Sequence, residues 1–150
     1  MKKYLKTTRA LIVVLLACFA LSACEGRPSI VNAVMTNGID AFTYKNIDVV
    51  DGYPPDVDFC MVSLEIKNFR HGSIIRFEWL YEGQEEPVAE TEIMYTEDDG
   101  DYVMGLLYLG YTPWPTGFYS VNIYIENELA PSRSVRFEIS NIYTDIVPEA

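Results

Sequence analysis

The chain has 150 residues, 22 acidic against 11 basic, and a formal net charge of −11. That length suits one domain with a single core, and the acidic surplus excludes nucleic acid as a partner, because the surface repels phosphates. A single histidine is too little for an ordinary zinc site, which usually needs more His or Cys ligands.

Lys2, Lys3, Lys6 and Arg9 precede an apolar run from Ala10 to Ala20, which Leu21-Ser22-Ala23-Cys24 closes. A basic flank, a short apolar stretch and small residues before a cut are the three parts of a secretory signal. The run is too short to span a bilayer, which takes about 20 residues. An uncleaved anchor and a plain secreted protein cut before Cys24 are the competing readings. The order of features resembles a bacterial lipoprotein signal peptide ending in a lipobox. The resemblance implies that residues 1–23 are removed, that Cys24 becomes the first residue of the mature chain, and that its sulfur carries a diacylglyceryl group. A thiol can form the thioether this needs. Two acyl chains, at about 0.8 kcal/mol per buried methylene, make a stable anchor. The protein is then expected in the cell envelope, lipid-anchored on the extracytoplasmic side of the cell membrane or an outer membrane. Glu25 stands where, by the same resemblance, an aspartate would mark inner-membrane retention in some Gram-negative bacteria.

Processing would leave seven basic and 22 acidic residues, a net charge of −15. Cys18 would leave with the signal and Cys24 would be taken by lipid, so Cys60 would have no partner for an intramolecular disulfide. Residues 24–29 form the lipidated terminus and a tether that reaches at most roughly 17 Å. The body is expected close to the membrane, without lying flat against anionic head groups.

Residues 30–140 read as an all-β domain of seven strands. The first covers 30–35 and closes at Thr36-Asn37-Gly38; a loop rich in Asp and Pro follows. The second, 59–68, sets Cys60, Val62, Leu64 and Ile66 on one face and Ser63, Glu65 and Lys67 on the other, so the period of two turns Cys60 inward. The third, 74–82, aligns Ile75, Phe77, Trp79 and Tyr81. The fourth, 88–96, is mixed in polarity and suits a sheet edge. Glu97-Asp98-Asp99-Gly100 has hairpin-turn composition and leads to the fifth, 101–109. Pro113 and Pro115 forbid a strand between 111 and 117. The sixth, 118–126, alternates Tyr119, Val121, Ile123 and Ile125 with Ser120, Asn122 and Tyr124. The seventh, 134–140, turns Val135, Phe137 and Ile139 inward, and 141–150 is a tail.

Seven short strands suggest two packed antiparallel sheets, with a barrel as the rival arrangement. The runs Phe77-Glu78-Trp79, Trp114-Pro115-Thr116-Gly117-Phe118-Tyr119-Ser120-Val121 and Ser134-Val135-Arg136-Phe137-Glu138-Ile139 resemble immunoglobulin-like domains of bacterial and archaeal envelope proteins. The resemblance implies an immunoglobulin-like β-sandwich without catalytic residues. It implies Trp79 packed between sheets and Tyr119 anchoring the start of its strand through a hydroxyl bonded to backbone.

The chemistry-bearing residues are few. Trp114 with Tyr111 would make a sugar or peptide platform if exposed together; otherwise Trp114 packs over the end of the sandwich. Asp98, Asp99 and Asp101 around Gly100, and Asp48, Asp51, Asp56 and Asp58, are carboxylate clusters of the kind calcium favours, but neither has EF-hand spacing, and solvated loops explain both. His71 has only Ser73 nearby and no nucleophile elbow exists. Cys60 faces inward, and Glu85 and Glu86 are adjacent rather than opposed across a cleft. The expectation is a non-catalytic module with no cofactor and no metal. It would bind an envelope protein, through its loops or the 88–96 edge, or alternatively a glycan through Tyr111 and Trp114.

Overall fold

A computed structural model of the chain describes residues 26–108, 110 and 113–142. Residues 1–25, which hold the expected signal segment and Cys24, the residue Tyr111 and the residues from 143 onward lie outside the described residues. Nine strands occur among them: β1 Ser29–Ile39, β2 Asn46–Val49, β3 Gly52–Tyr53, β4 Phe59–Lys67, β5 Ile74–Tyr81, β6 Ala89–Met94, β7 Tyr102–Tyr108, β8 Gly117–Ile125 and β9 Arg133–Ile139. They form two sheets, in the orders β2-β1-β4-β7 and β3-β9-β8-β5-β6. The protein is therefore all-β, with its core between two sheets as in a β-sandwich.

Three expectations are corrected. The strand count rises from seven to nine, because β2 and β3 arise within the Asp- and Pro-rich loop. The sheets are not wholly antiparallel: β3 runs parallel to β9, pairing Gly52 with Glu138 and Tyr53 with Ile139. Glu97–Gly100 is not a hairpin turn, since β6 pairs with β5 and β7 with β4. It is a 3-10 turn carrying the chain from one sheet to the other. Asp99 ties it, accepting from the Thr96 amide and from the Thr96 hydroxyl.

The alternation in β4, β5, β8 and β9 builds the core. Cys60, Val62, Leu64 and Ile66 of β4, Ile75, Phe77 and Trp79 of β5, and Tyr119, Val121, Ile123 and Ile125 of β8 are all buried, with Phe137 and Ile139 of β9 closing the set. Tyr81 and Val135 come in only half-buried at its margin. Trp79 is completely enclosed and sits edge-on to Phe137, with ring centroids 6.1 Å apart. Phe137 stacks on Tyr119 at 5.6 Å and takes Tyr53 edge-on at 6.0 Å. Such pairs contribute about 0.5–1.5 kcal/mol each beyond their buried area.

Two features depart from simple alternation. Met61 and Ser63, on the outer face of β4, are buried as well. The Ser63 hydroxyl donates to the carbonyl of Tyr44, so the 40–45 loop folds back over that face. Asp40 holds this loop: its carboxylate accepts from the amides of Phe42 and Thr43 and from the Thr43 hydroxyl, and these bonds pull its pKa below the ordinary carboxylate value. The other departure is Tyr53, whose hydroxyl crosses the core from β3 to the place where β1 and β4 part. It lies 2.7 Å from the Thr36 carbonyl oxygen and 3.0 Å from that of Met61, and accepts from the Met61 amide at 3.2 Å.

Burial pushes the Cys60 thiol up to about 12 and the Tyr119 phenol up to about 12, and it raises Tyr53 as well. In the unfolded chain these groups release their protons near their ordinary values of 9.0 for the thiol and 10.0 for the phenols. The folded chain keeps them. Above the unfolded values the native state therefore binds more protons, and stability falls as pH rises. Urea midpoints should hold steady across neutral pH with respect to these groups and decline from about pH 9 upward. Cys60→Val should postpone the start of the decline toward the range where the phenols ionise; an unchanged profile in that variant would contradict the assignment to Cys60.

Candidate binding site

The crossing from β7 to β8 borders a concavity among the described residues. Pro113 and Pro115 cannot join a ladder, so the 113–116 segment runs across the end of the sandwich rather than along a sheet. Three contacts fix it there. The Trp114 amide donates to the Pro55 carbonyl at 3.1 Å. The Tyr119 hydroxyl donates to the Pro115 carbonyl at 2.8 Å, and the Tyr81 hydroxyl to the Thr116 carbonyl at 3.2 Å. Gly117 makes the last approach possible. Its φ is 146°, and a Cβ there would stand 2.9 Å from Cε2 of Tyr81.

Tyr81 and Tyr119 lie with ring centroids 4.8 Å apart, and Trp114 packs on Tyr119 at 5.5 Å. Together with Pro113 and Pro115, and with Gln84 and Val88 from the β5–β6 loop, they line a hollow of about 350 Å³. That is the lower end of the range for ligand pockets. Trp114 is half-buried: it packs against the core and also lines the hollow. The sequence pointed to Trp114 and to the Tyr119 hydroxyl, and the structure joins the two. Tyr111, the expected second platform residue, lies outside the described residues. Tyr81 was assigned to the core alone, and Gln84 and Val88 carried no signal. The indication that was present is the pair of prolines around a tryptophan just before a strand.

The loops that supply Gln84 and the Pro55 carbonyl continue into acidic residues. Glu85 and Glu86 follow Gln84, Asp56 follows Pro55, and Asp58 lies two residues further on; all four are exposed. Among the described residues none of them is in an ion pair, whereas nearby Glu82 pairs with Arg136 at 3.2 Å. That arginine also lies over the Phe118 ring, 4.0 Å from its centroid.

A smaller hollow of about 290 Å³ opens between the β6 and β7 edges, lined by Tyr44, Ile93, Met94, Asp99, Tyr102, Val103 and Met104. β6 is an edge strand, as its mixed polarity suggests. Its exposed side chains are Glu90, Glu92 and Met94, and charge on an edge discourages strand addition.

The remaining candidates lie apart. Asp98 and Asp101 are exposed while Asp99 is engaged by Thr96. Asp48 in β2 and Asp51, Asp56 and Asp58 after it are all exposed. Among the described residues no group of three or more His, Cys, Asp and Glu is gathered as metal ligands. His71 is exposed in the β4–β5 turn, and the Ser73 hydroxyl is directed to Glu126 at 3.4 Å. Cys60 is fully enclosed, and Glu85 and Glu86 share one exposed loop without an opposing carboxylate among the lining residues. On the outer face of the five-stranded sheet, Arg76 pairs with Glu78 and lies over the Tyr124 ring at 4.2 Å. The Tyr124 hydroxyl donates to Glu78 at 2.6 Å, and that bond chiefly raises its pKa. This network is internally neutralised.

No protein-family model matches the chain, and no curated protein is detectably similar to it.

Proposed function

We propose that the protein is a non-catalytic, lipid-anchored binding module of the cell envelope. Cys24 carries the acyl chains, an immunoglobulin-like sandwich follows, and the aromatic hollow receives a partner. The observation that carries the docking role is position. The chain enters the sandwich at one end, where Ser29 pairs with Lys67 and Asn68 donates to the Arg27 carbonyl. The hollow sits at the other end, where β5 finishes at Tyr81 and β8 starts at Gly117. The nine residues of β8, eight intervals at roughly 3.3 Å each, separate the two ends by about 26 Å. A tethered body of this kind holds its hollow away from the bilayer.

Several features support the immunoglobulin-like assignment. The chain changes sheets between β4 and β5, β6 and β7, and β7 and β8, and it makes hairpins at β5–β6 and β8–β9. The Tyr119 hydroxyl bonds to a backbone carbonyl four residues upstream, in the manner of a tyrosine corner. A buried tryptophan sits on the strand beside it. In antibody domains the residue two past that tyrosine is the second disulfide cysteine; Val121 occupies it here, and Cys60 is a free thiol.

The favoured partner is an envelope protein. A glycan is the second reading, favoured by Trp114 lying in a concave patch beside Tyr81. Anchoring is tested by Cys24→Ser in the native host. The variant should lose all labelling by a fatty-acid probe and leave the membrane fraction; undiminished labelling would contradict the assignment.

A further inference from the structure

We infer that the hollow takes a proline-bearing, positively charged peptide segment of an extracytoplasmic protein, bound as a polyproline II helix. The inference rests on the docking role assigned to the hollow above and names the chemistry of its ligand.

The lining decides between peptide and sugar. Sugar rings bind through stacking and through many directed hydrogen bonds to their hydroxyls. Stacking surface is abundant here: Trp114, Tyr81 and Tyr119 with two prolines and Val88. Directed polar groups are scarce. The Tyr119 and Tyr81 hydroxyls spend their protons on the Pro115 and Thr116 carbonyls. Gln84 and the indole N–H of Trp114 are the remaining lining side-chain groups that can donate. Such a wall suits a ligand recognised by apolar ridges. A polyproline II segment has that character: it is pre-ordered, loses little entropy on docking and fills aromatic-lined grooves.

Charge then selects among such segments. Glu85 and Glu86 are exposed in the loop that carries the lining Gln84, Asp56 and Asp58 are exposed in the loop whose Pro55 carbonyl holds the Trp114 amide, and none of the four is in an ion pair among the described residues. Arg136, the arginine of this end, is stacked on Phe118 and paired with Glu82. An arginine or lysine beside the prolines would find unpaired carboxylates, while an acidic peptide would be repelled. Such exposed charges act on association and on discrimination between partners.

Trp79 is fully enclosed, so a ligand-induced change in tryptophan fluorescence reports Trp114. The full lipidated chain in detergent is titrated with four probes: a short proline-repeat peptide with two arginines, the same peptide with glutamates for arginines, the arginine peptide with alanines for prolines, and a neutral oligosaccharide of N-acetylglucosamine. The arginine–proline peptide should bind at least about tenfold more tightly than its glutamate counterpart at low salt, and the advantage should shrink as salt rises. The alanine peptide should bind more weakly than the proline one. E85Q combined with E86Q changes only exposed positions; it should narrow the gap between the two charged peptides, and its circular dichroism should match the parent chain. Equal binding of the arginine and glutamate peptides, or of the proline and alanine peptides, overturns the inference. Binding of the oligosaccharide alone overturns it too, but leaves the hollow as a ligand site. A flat signal with all four probes removes both.

Discussion

Gly105→Ala should cost the folded state about 3 kcal/mol, at the upper end of what an added core methyl usually costs. Gly105 lies in β7 opposite Val62 and is itself buried. A Cβ there would stand 2.6 Å from Cε1, 2.7 Å from Cδ1 and 2.9 Å from Cζ of Phe77. The Phe77 ring fills the space that any other residue at 105 would need, and it has no exit. It is completely buried, and its backbone is paired on both sides, with Thr91 and with Ile123. The added methyl must displace a ring or pry β7 from the opposite sheet. Phe77→Leu in the same chain should recover part of the loss, because a smaller side chain opens the space. The two substitutions are in contact, so they should couple rather than add. Urea denaturation of the two single variants and the double variant measures this; strict additivity would mean that the ring and the glycine do not share the space.

Tyr53→Phe should cost about 2–3 kcal/mol, since it preserves the ring and removes only the hydroxyl. That hydroxyl accepts from the Met61 amide and has one proton to give to the Thr36 carbonyl at 2.7 Å or the Met61 carbonyl at 3.0 Å. Thr36 is fully buried and Met61 nearly so, and buried backbone groups left without partners carry their full desolvation cost. β1 pairs with β4 as far as Met35 and Val62; beyond that point the tyrosine takes over the role of the ladder. The Met61 amide should also exchange its hydrogen faster in the variant. A stability equal to the parent chain, with unchanged exchange at Met61, would show that the hydroxyl is not what joins the strands there.

The parts of the fold legible in the sequence are those that each strand specifies alone. Cys60-Met61-Val62-Ser63-Leu64-Glu65-Ile66 states its inner face by simple alternation, and Ile75, Phe77 and Trp79 do the same. The burial of Met61 and Ser63 could not be read this way. It depends on the 40–45 loop folding back over them, a contact made across nineteen residues. β2 has two polar residues in four and β3 is two residues long, too short for any period to emerge. Tyr53 in β3 looks like an ordinary turn residue beside two prolines; its work depends on Thr36 and Met61. The composition of Glu97–Gly100 signals a change of direction, but nothing in it says which sheet the next strand joins. At the hollow, Trp114 and Tyr119 were legible from the prolines around them. Gln84 and Val88 were not, because the 82–88 loop carries no local mark of the segment it meets.

The central claim is that this sandwich is held to a membrane at one end and open to a partner at the other. The most direct test is the mass of the N-terminal peptide of the protein isolated from its native host. The expected peptide begins at Cys24 and bears a diacylglyceryl group on its sulfur. A chain that begins at Met1 with Cys24 unmodified would contradict it.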